Sequence, residues 1–414
     1  MRNMTLRRVC AGMTTAAVVA GLAACGGDSE NASSDSGDGP IKIGFAVADS
    51  GPIAGLDTEA TNAALLRIDE INAAGGVDGR QLEAVRKNTQ SDKALATNTA
   101  TELIGEGVSA MIVSCDFDYG SPAAIVAQAS DIPGISLCAS DPKFADTKTI
   151  GKQAFSFAPG SDVEAVSMAE WAVEEKGWKR AYILQDQSIE YTKALGRYFE
   201  ASLKSLGGSV VGRDSFPGGD NTDVRAQATK LRGVTDADFV YLPSWNPAAA
   251  QVIRQLRAAG VTLPIISSSA ADGDILPKTA GKVSDVFFPP YGCMAYCSGQ
   301  QSEGLKAFDD AFAKKYDRQP NSAYALAGYN AVTGIADAIK AAGSSEGSKI
   351  GPALETLESI DSPTGPFQPA SPTCHKPIGM PLALVELKAG KLEYVQDVTA
   401  KKIVSVGDGN NCAD

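Results

Sequence analysis

From Ile41 onward the chain alternates short β-rich runs with amphipathic helical stretches, and few architectures tolerate that rhythm. "IKIGFAVA" at 41–48 reads as a buried strand. Ala60, Ala64, Ile68 and Ile71 then recur at helical spacing, and "AAGG" at 73–76 stops that helix with glycine. "LEAVRKN" (82–88), "AMIVS" (110–114) and "GISLCA" (134–139) read as strands, separated by helices at 92–106 and 121–130. A βαβαβαβ order of this kind calls for a parallel sheet with helices on both faces.

The rhythm then restarts. Helices at 162–176, 192–206, 222–232 and 247–259 interleave with strands "AYILQD" (181–186), "SVVGRDSF" (209–216), "FVYLPS" (239–244), "PIISSS" (264–269) and "VFFPP" (286–290). Two long helices follow at 302–316 and 322–342, and "LALVELK" (382–388) and "LEYV" (392–395) read as the last strands. The expectation is an α/β protein of two Rossmann-like lobes with parallel sheets. Three stretches dense in Pro and Gly, "FAPGS" (157–161), "FPPYG" (288–292) and "SPTGPF" (362–367), divide the body. They assign 41–158 plus 291–364 to an N-terminal lobe and 159–290 plus 365–414 to a C-terminal lobe. A chain that crosses between lobes several times forms a hinge; the alternative is three ordinary loops.

The N-terminus points to export. Residues 1–24 hold Arg2, Arg7 and Arg8, no acid, and a small apolar run, as in a secretory signal peptide. "LAAC" at 22–25 resembles the lipobox of bacterial lipoproteins, which implies cleavage before Cys25 and lipidation of its thiol. Two acyl chains anchor a protein far better than one. An ordinary signal peptide with an incidental cysteine is the alternative. Residues 26–39 carry no large apolar group, so 25–40 reads as a lipidated cysteine and a flexible tether. The formal charge is −12 for the chain and −15 without the three arginines of the signal, which argues against a nucleic-acid partner. Beyond Cys10 and Cys25, six cysteines remain, an even set that suggests disulfides in an exported protein. Three links are plausible: Cys115 with Cys138 at neighbouring strand ends, Cys293 with Cys297 within "CMAYC", and Cys374 with Cys412 at the tail.

Chemistry in parallel α/β sheets gathers outside the carboxyl ends of strands. The strand-end loops here are "ADSGPIAGLD" (48–57), "SCDFDYGSP" (114–122), "CASDPKF" (138–144), "QDQSIEYT" (185–192), "PSWNPA" (243–248) and "SSSAADGD" (267–274). Their hydroxyls, carboxylates and the aromatics Phe117, Tyr119, Tyr191 and Trp245 suit a small polar ligand. Catalytic signatures are poor: no nucleophile elbow, P-loop or zincin motif occurs, and His375 is the single histidine. No cofactor, metal site or enzyme activity is expected. Asp116 and Asp118, two apart on a segment read as extended, would face opposite ways. One could pair with a ligand cation, or both could be solvated.

"IKIGFAVADSGPIAG" with "LRIDEINAAGGVDGRQLE" resembles the opening of type I periplasmic solute-binding proteins of branched-chain amino-acid ABC transporters. "AYILQDQSIEYTKAL", "TDADFVYLPSWNPAAAQVIRQLRAAG" and "YALAGYNAVTGIADAI" extend the resemblance through most of 41–342. It implies two lobes joined by a three-crossover hinge, closing on a solute that is handed to a membrane permease driven by an ATPase. It also implies ligand contacts at Asp116, Phe117, Asp118 and Tyr119, at Ala139 and Ser140 next to Cys138, and at Tyr191 and Trp245 on the second lobe. The family's ammonium-pairing acid falls near Ser269, with Asp272 as its candidate replacement, and Leu56 stands where an aromatic is usual. The expected ligand is an amino acid or a related small polar or amide compound. The expected location is the extracytoplasmic face of the cell membrane. A ligand-sensing module of the same fold, acting with a separate receptor, is the alternative.

Overall fold

A computed structural model describes residues 39–299 and 301–407. The proposed signal peptide, Cys25, most of the tether and Cys412 lie outside the described residues. The first sheet has the order β2-β1-β3-β4-β5. Its strands are β1 (Ile41–Val47), β2 (Leu82–Asn88), β3 (Ala110–Val113), β4 (Gly134–Ser136) and β5 (Ala154–Ser156), all parallel. Helices α1 (Ala54–Ala73), α2 (Lys93–Gly105), α3 (Phe117–Ala129) and the short α4 (Pro142–Ala145) connect them. Asp92 starts α2 by accepting a bond from the Leu95 amide at 2.7 Å.

After α5 (Ser161–Glu170), which ends in a π-turn at Trp171–Glu175, the chain builds a second sheet of order β12-β11-β10-β9-β8-β6-β7. The strands β6 (Arg180–Asp186), β7 (Ser209–Phe216), β8 (Phe239–Leu242), β9 (Ile265–Ser267) and β10 (Val286–Phe288) are parallel. Between them run α6 (Glu190–Ser205), α7 (Arg225–Arg232), α8 (Ala248–Ala258) and α9 (Ile275–Ala280). The chain returns to the first sheet as α10 (Glu303–Tyr316), α11 (Tyr324–Ala342) and α12 (Gly347–Leu354). It ends with β11 (Leu382–Lys388) and β12 (Lys391–Val398), an antiparallel pair on the β10 edge. The second sheet is therefore mixed at one edge, where the sequence reading expected parallel strands throughout. The pair is joined by two residues, which only an antiparallel connection permits.

Alternation along the strands divides the core. Ile43 and Phe45 of β1 and Ile112 of β3 face the main core, while Ala46, Met111 and Val113 face a second layer under α2 and α3. Ile183 and Tyr241 join the main core as well, and Tyr182, Leu184 and Leu242 fill a layer behind the second sheet. Both faces of each sheet are thus covered, as parallel sheets require. In α6, Tyr191, Ala194, Leu195, Tyr198 and Phe199 are buried at 3–4 residue spacing, so this helix packs by one stripe. Helices α1 and α11 lie against each other with no room to spare. A Cβ at Gly328 would sit 1.8 Å from the carbonyl oxygen of Ala60, so only glycine permits the approach. Three segments pass between the sheets: after β5, after β10, and between α12 and β11. The last runs along β5 on its way. There His375 is buried, its Nδ1 is 2.9 Å from the Ala154 carbonyl, and its ring stacks on Phe155 at 4.2 Å.

Candidate functional site

The carboxyl ends of the two sheets face one another across a narrow cavity with only about 10 Å³ open to a water-sized sphere. Leu56, Asp116, Cys138 and Ser140 line it from the loops of the first sheet. Ile189, Tyr191, Trp245 and Ala270 line it from the second, and Tyr324 at the start of α11 closes the side. Leu56, Trp245 and Ala270 also border a wider outer recess of about 230 Å³ that includes Asp272 and Asn321.

The wall on the first sheet is braced from below. Asp57 of α1 is fully buried and accepts bonds from the amides of Ala48 and Cys115, each at 2.7 Å, so one carboxylate holds the loops after β1 and β3. Burial pushes its pKa up to about 6, against the opposing pull of those hydrogen bonds. A disulfide joins Cys115 to Cys138 with Cα atoms 4.6 Å apart, linking the loops after β3 and β4. Gly120 lets α3 settle on this end of the sheet, because a Cβ there would lie 2.4 Å from the Ser114 carbonyl oxygen.

Asp116 stands at the N-cap of α3 with φ 72° and ψ 147°, a region costing a non-glycine residue about 1–3 kcal/mol. Its Oδ1 accepts a bond from the Asp118 amide at 2.8 Å. Its Oδ2 makes no well-formed hydrogen bond, although the residue is 4% exposed and lines the cavity; the Tyr191 backbone amide acts on the carboxyl from the far wall. Burial, then the charges of Asp118 and Asp141, push the Asp116 carboxyl well above the usual carboxylate range.

The opposite wall holds a second buried carboxylate with the reverse character. Glu164 of α5 accepts from the Ser269 amide at 2.8 Å, from Ser269 Oγ at 2.8 Å and from the Tyr191 hydroxyl at 2.9 Å. Burial raises its pKa to about 7 against these donors. The network continues across the cleft. Ser269 Oγ is 3.0 Å from the Tyr191 hydroxyl and 3.2 Å from that of Tyr324. Tyr291 packs edge-on against Tyr324 and reaches Ser140 Oγ at 3.0 Å. Trp245 is fixed by an indole N–H bond to Ser188 Oγ at 2.9 Å, and Ser188 in turn donates to Asp186.

The residues expected from sequence thus separate into groups. Asp116, Ser140, Tyr191 and Trp245 line the inner cavity. Phe117 packs beside the outer layer of the first sheet with Lys143 above its ring. Tyr119 is half-buried against the main core, and Ala139 spends its amide and carbonyl on Ser136 and Ser156. Ser269 sits one bond behind the wall, on Glu164. Asp116 and Asp118 occupy the first turn of a helix, where an extended segment was expected, because α3 begins four residues earlier than its apolar pattern.

Asp118 and Asp272 instead join the two halves of the molecule. Asp118 Oδ2 accepts from the amide of Glu190, the first residue of α6, at 2.9 Å. Asp272 Oδ2 accepts from the Ala323 amide at the start of α11, at 2.7 Å, and from the Tyr296 hydroxyl at 2.6 Å. Each carboxylate meets a helix N-terminus, where the backbone dipole favours negative charge. Lys143 and Glu190 add an ion pair at 3.0 Å. Sequence reading missed Glu164, Asp57, Ile189, Tyr291 and Tyr324; of these, Tyr324 had a signal, lying two residues into the expected helix at 322–342. The cysteine expectations hold for Cys115–Cys138 and for Cys293–Cys297. Cys374 is disulfide-bonded, and its expected partner lies outside the described residues. Among the described residues no cluster of His, Cys, Asp and Glu is suited to a metal ion, and no helix is long and apolar enough to cross a membrane.

Comparison with known proteins agrees with this architecture. The leucine-, isoleucine-, valine-, threonine- and alanine-binding protein of Pseudomonas aeruginosa is 26% identical over 327 residues, 78% of this chain and 84% of that one. The Leu/Ile/Val-binding protein of Escherichia coli is 25% identical over 246 residues, 59% of this chain and 65% of that one. The branched-chain amino acid transporter substrate binding protein of Streptococcus pneumoniae, solved with isoleucine, superposes with TM-score 0.75 at 27% identity. That alignment covers 86% of this chain and 99% of the other. Residues 40–391 match the family described as periplasmic binding protein, nearly the whole of the two-sheet body, and the chain belongs to that family.

Proposed function

We propose that this protein captures a small solute between its two lobes and delivers it to the membrane permease of an ABC importer. It binds rather than catalyses, as its family does. One observation carries the reading: the inner cavity takes its lining from both sheets, and carboxylates on each side reach helix N-termini on the other. Such contacts form only when the lobes come together, so closure is favoured by whatever adds contacts in the closed state. Asp116, Ser140, Tyr191 and Trp245 are the residues assigned to the ligand itself. Ser269 supports Tyr191, and Asp118 and Asp272 hold the lobes shut. Relatives named for aliphatic amino acids make amino acids and related amides the first compounds to try.

Lipidation of Cys25 would keep this body at the membrane, near the permease, on the tether of residues 26–39. The test is native mass spectrometry of the purified protein followed by identification of any molecule released on denaturation, with small-angle scattering before and after adding it back. A released solute that compacts the protein supports capture. A solute that binds without any change in compactness argues against closure between lobes.

A further inference from the structure

We propose that the cleft selects a small amine or amidine that carries no carboxylate, with its cationic end on Asp116 and its apolar body against Leu56, Ile189 and Trp245. This rests on the capture reading above but departs from its first candidates, because amino acids carry a carboxylate. The first support is the idle oxygen. Asp116 lines the cavity and its buried Oδ2 makes no well-formed hydrogen bond, the Tyr191 backbone amide acting on the carboxyl from the far wall, while every other polar side chain lining it has a partner. A buried acceptor without a donor is costly, so a ligand that brings one gains the bond at no expense to an existing contact. The second is the absence of a counter-charge. Among the described residues, no lysine or arginine lines the inner cavity. Lys93 is drawn to Asp118 and Lys143 to Glu190, both outside that lining.

The third is what has become of the anion site. A helix N-terminus beside a cleft is the natural seat for a ligand carboxylate. At α3 the side chain of Asp116 already takes that place, capping the Asp118 amide from within. An incoming carboxylate would therefore meet a carboxylate. A carboxylate could approach only by accepting the proton that burial favours on Asp116, whereas an amine brings the opposite charge and draws that proton off. Glu164 offers no relief on the far wall, because it is itself acidic and its oxygens already accept three bonds. Trp245 and Tyr324 complete a surround suited to a cation, since aromatic faces attract positive charge. The cavity between the closed lobes is tight, with about 10 Å³ open to a water-sized sphere, which limits the ligand to a compact molecule that enters as the lobes part.

The test uses matched probes on the intact protein: isoamylamine, benzamidine, leucine, isovalerate and benzoate, each by calorimetry at neutral pH. The expected result is saturable binding of an amine or amidine and no binding of its isosteric acid. Asp116→Asn keeps the capping oxygen and removes the charge. It should weaken the amine by about 30-fold or more, the loss of one charge-assisted hydrogen bond, and pull the amine-to-acid preference towards unity. An unchanged melting temperature shows that the variant is folded; if it does not fold, the amine-to-acid preference of the wild-type protein decides alone. Leucine or an acid binding in preference to the amines overturns the proposal and leaves capture between the lobes standing. So does amine binding that Asp116→Asn does not alter. If none of the probes binds at millimolar concentration, the amine class is overturned; a solute of another kind then released from the purified protein preserves the capture reading, and an empty protein weakens both.

Discussion

The two walls of the cleft each hold a buried carboxylate, and they are built in opposite ways. Glu164 is saturated: a backbone amide, a serine and a tyrosine hydroxyl occupy its oxygens. Asp116 has one oxygen capping its own helix and one that makes no well-formed hydrogen bond, on a backbone in a region that ordinary residues avoid. The first arrangement holds a wall together. The second leaves a wall unfinished, and strain of that kind persists where surrounding structure enforces it. In these two walls the satisfied carboxylate is scaffold, and the idle one is a candidate for contact with a ligand.

The largest expected effect tests the scaffold side. Glu164→Leu leaves the Ser269 amide, the Ser269 hydroxyl and the Tyr191 hydroxyl buried without their acceptor, and should cost about 3 kcal/mol or more in chemical denaturation. Asp116→Asn should cost nothing measurable in the ligand-free protein, because it removes an acid whose charged form burial disfavours and keeps the cap. Equal losses in the two variants would break the comparison.

The next effect is on pH dependence. Glu164 titrates near 7 in the folded protein and near its ordinary 4.5 when unfolded. A carboxyl raised by folding adds stability that is full below about 4.5 and is lost as pH rises through 7, about 3 kcal/mol at most. Asp57, Asp141 and Asp272, each raised by burial to about 6, act in the same direction. The melting temperature should therefore fall between pH 5 and pH 8, and Glu164→Gln should flatten that slope. An unchanged slope would show that Glu164 is not the titrating group.

Smaller effects sharpen the picture of the lobe contacts. Asp118→Asn weakens a carboxylate bond to the first amide of α6 and should lower ligand affinity by several-fold, seen mainly as faster release. Asp272→Asn should do the same from the other lobe. Lys93→Ala, by contrast, removes the more exposed partner of a surface pair with Asp118 and should change neither affinity nor stability measurably.

Much of the architecture was legible because it is periodic. Ile43 and Phe45 alternate with Ala46 across a sheet, and α6 shows its stripe, so strands and helices announce themselves in composition alone. Cys115 and Cys138 were readable as a pair because each ends such a strand. The short pieces β5 and α12 were not, since three or eight residues give too little pattern. Nor was the antiparallel attachment of β11, which depends on a partner nearly a hundred residues earlier. At the site, the loops were found but the roles were not. Glu164 lies among "SDVEAVSMAE", where it looks like one more helix-surface acid, and its capping serine comes 105 residues later. Asp116 and Asp118 lie two residues apart and differ only by where a helix starts, which the pattern read as helical from 121 does not mark.

The bond between Cys115 and Cys138 lies directly beneath this wall, and Cys138 itself lines the cavity. Closing a loop of that length in the unfolded chain is worth about 3 kcal/mol to the folded state, yet its more specific effect is on the wall above it. While both sulfurs are still thiols, the loops bearing Asp116 and Ser140 are joined only by weaker contacts. A chain whose two cysteines are reduced would then hold this wall less firmly and grip a ligand less well.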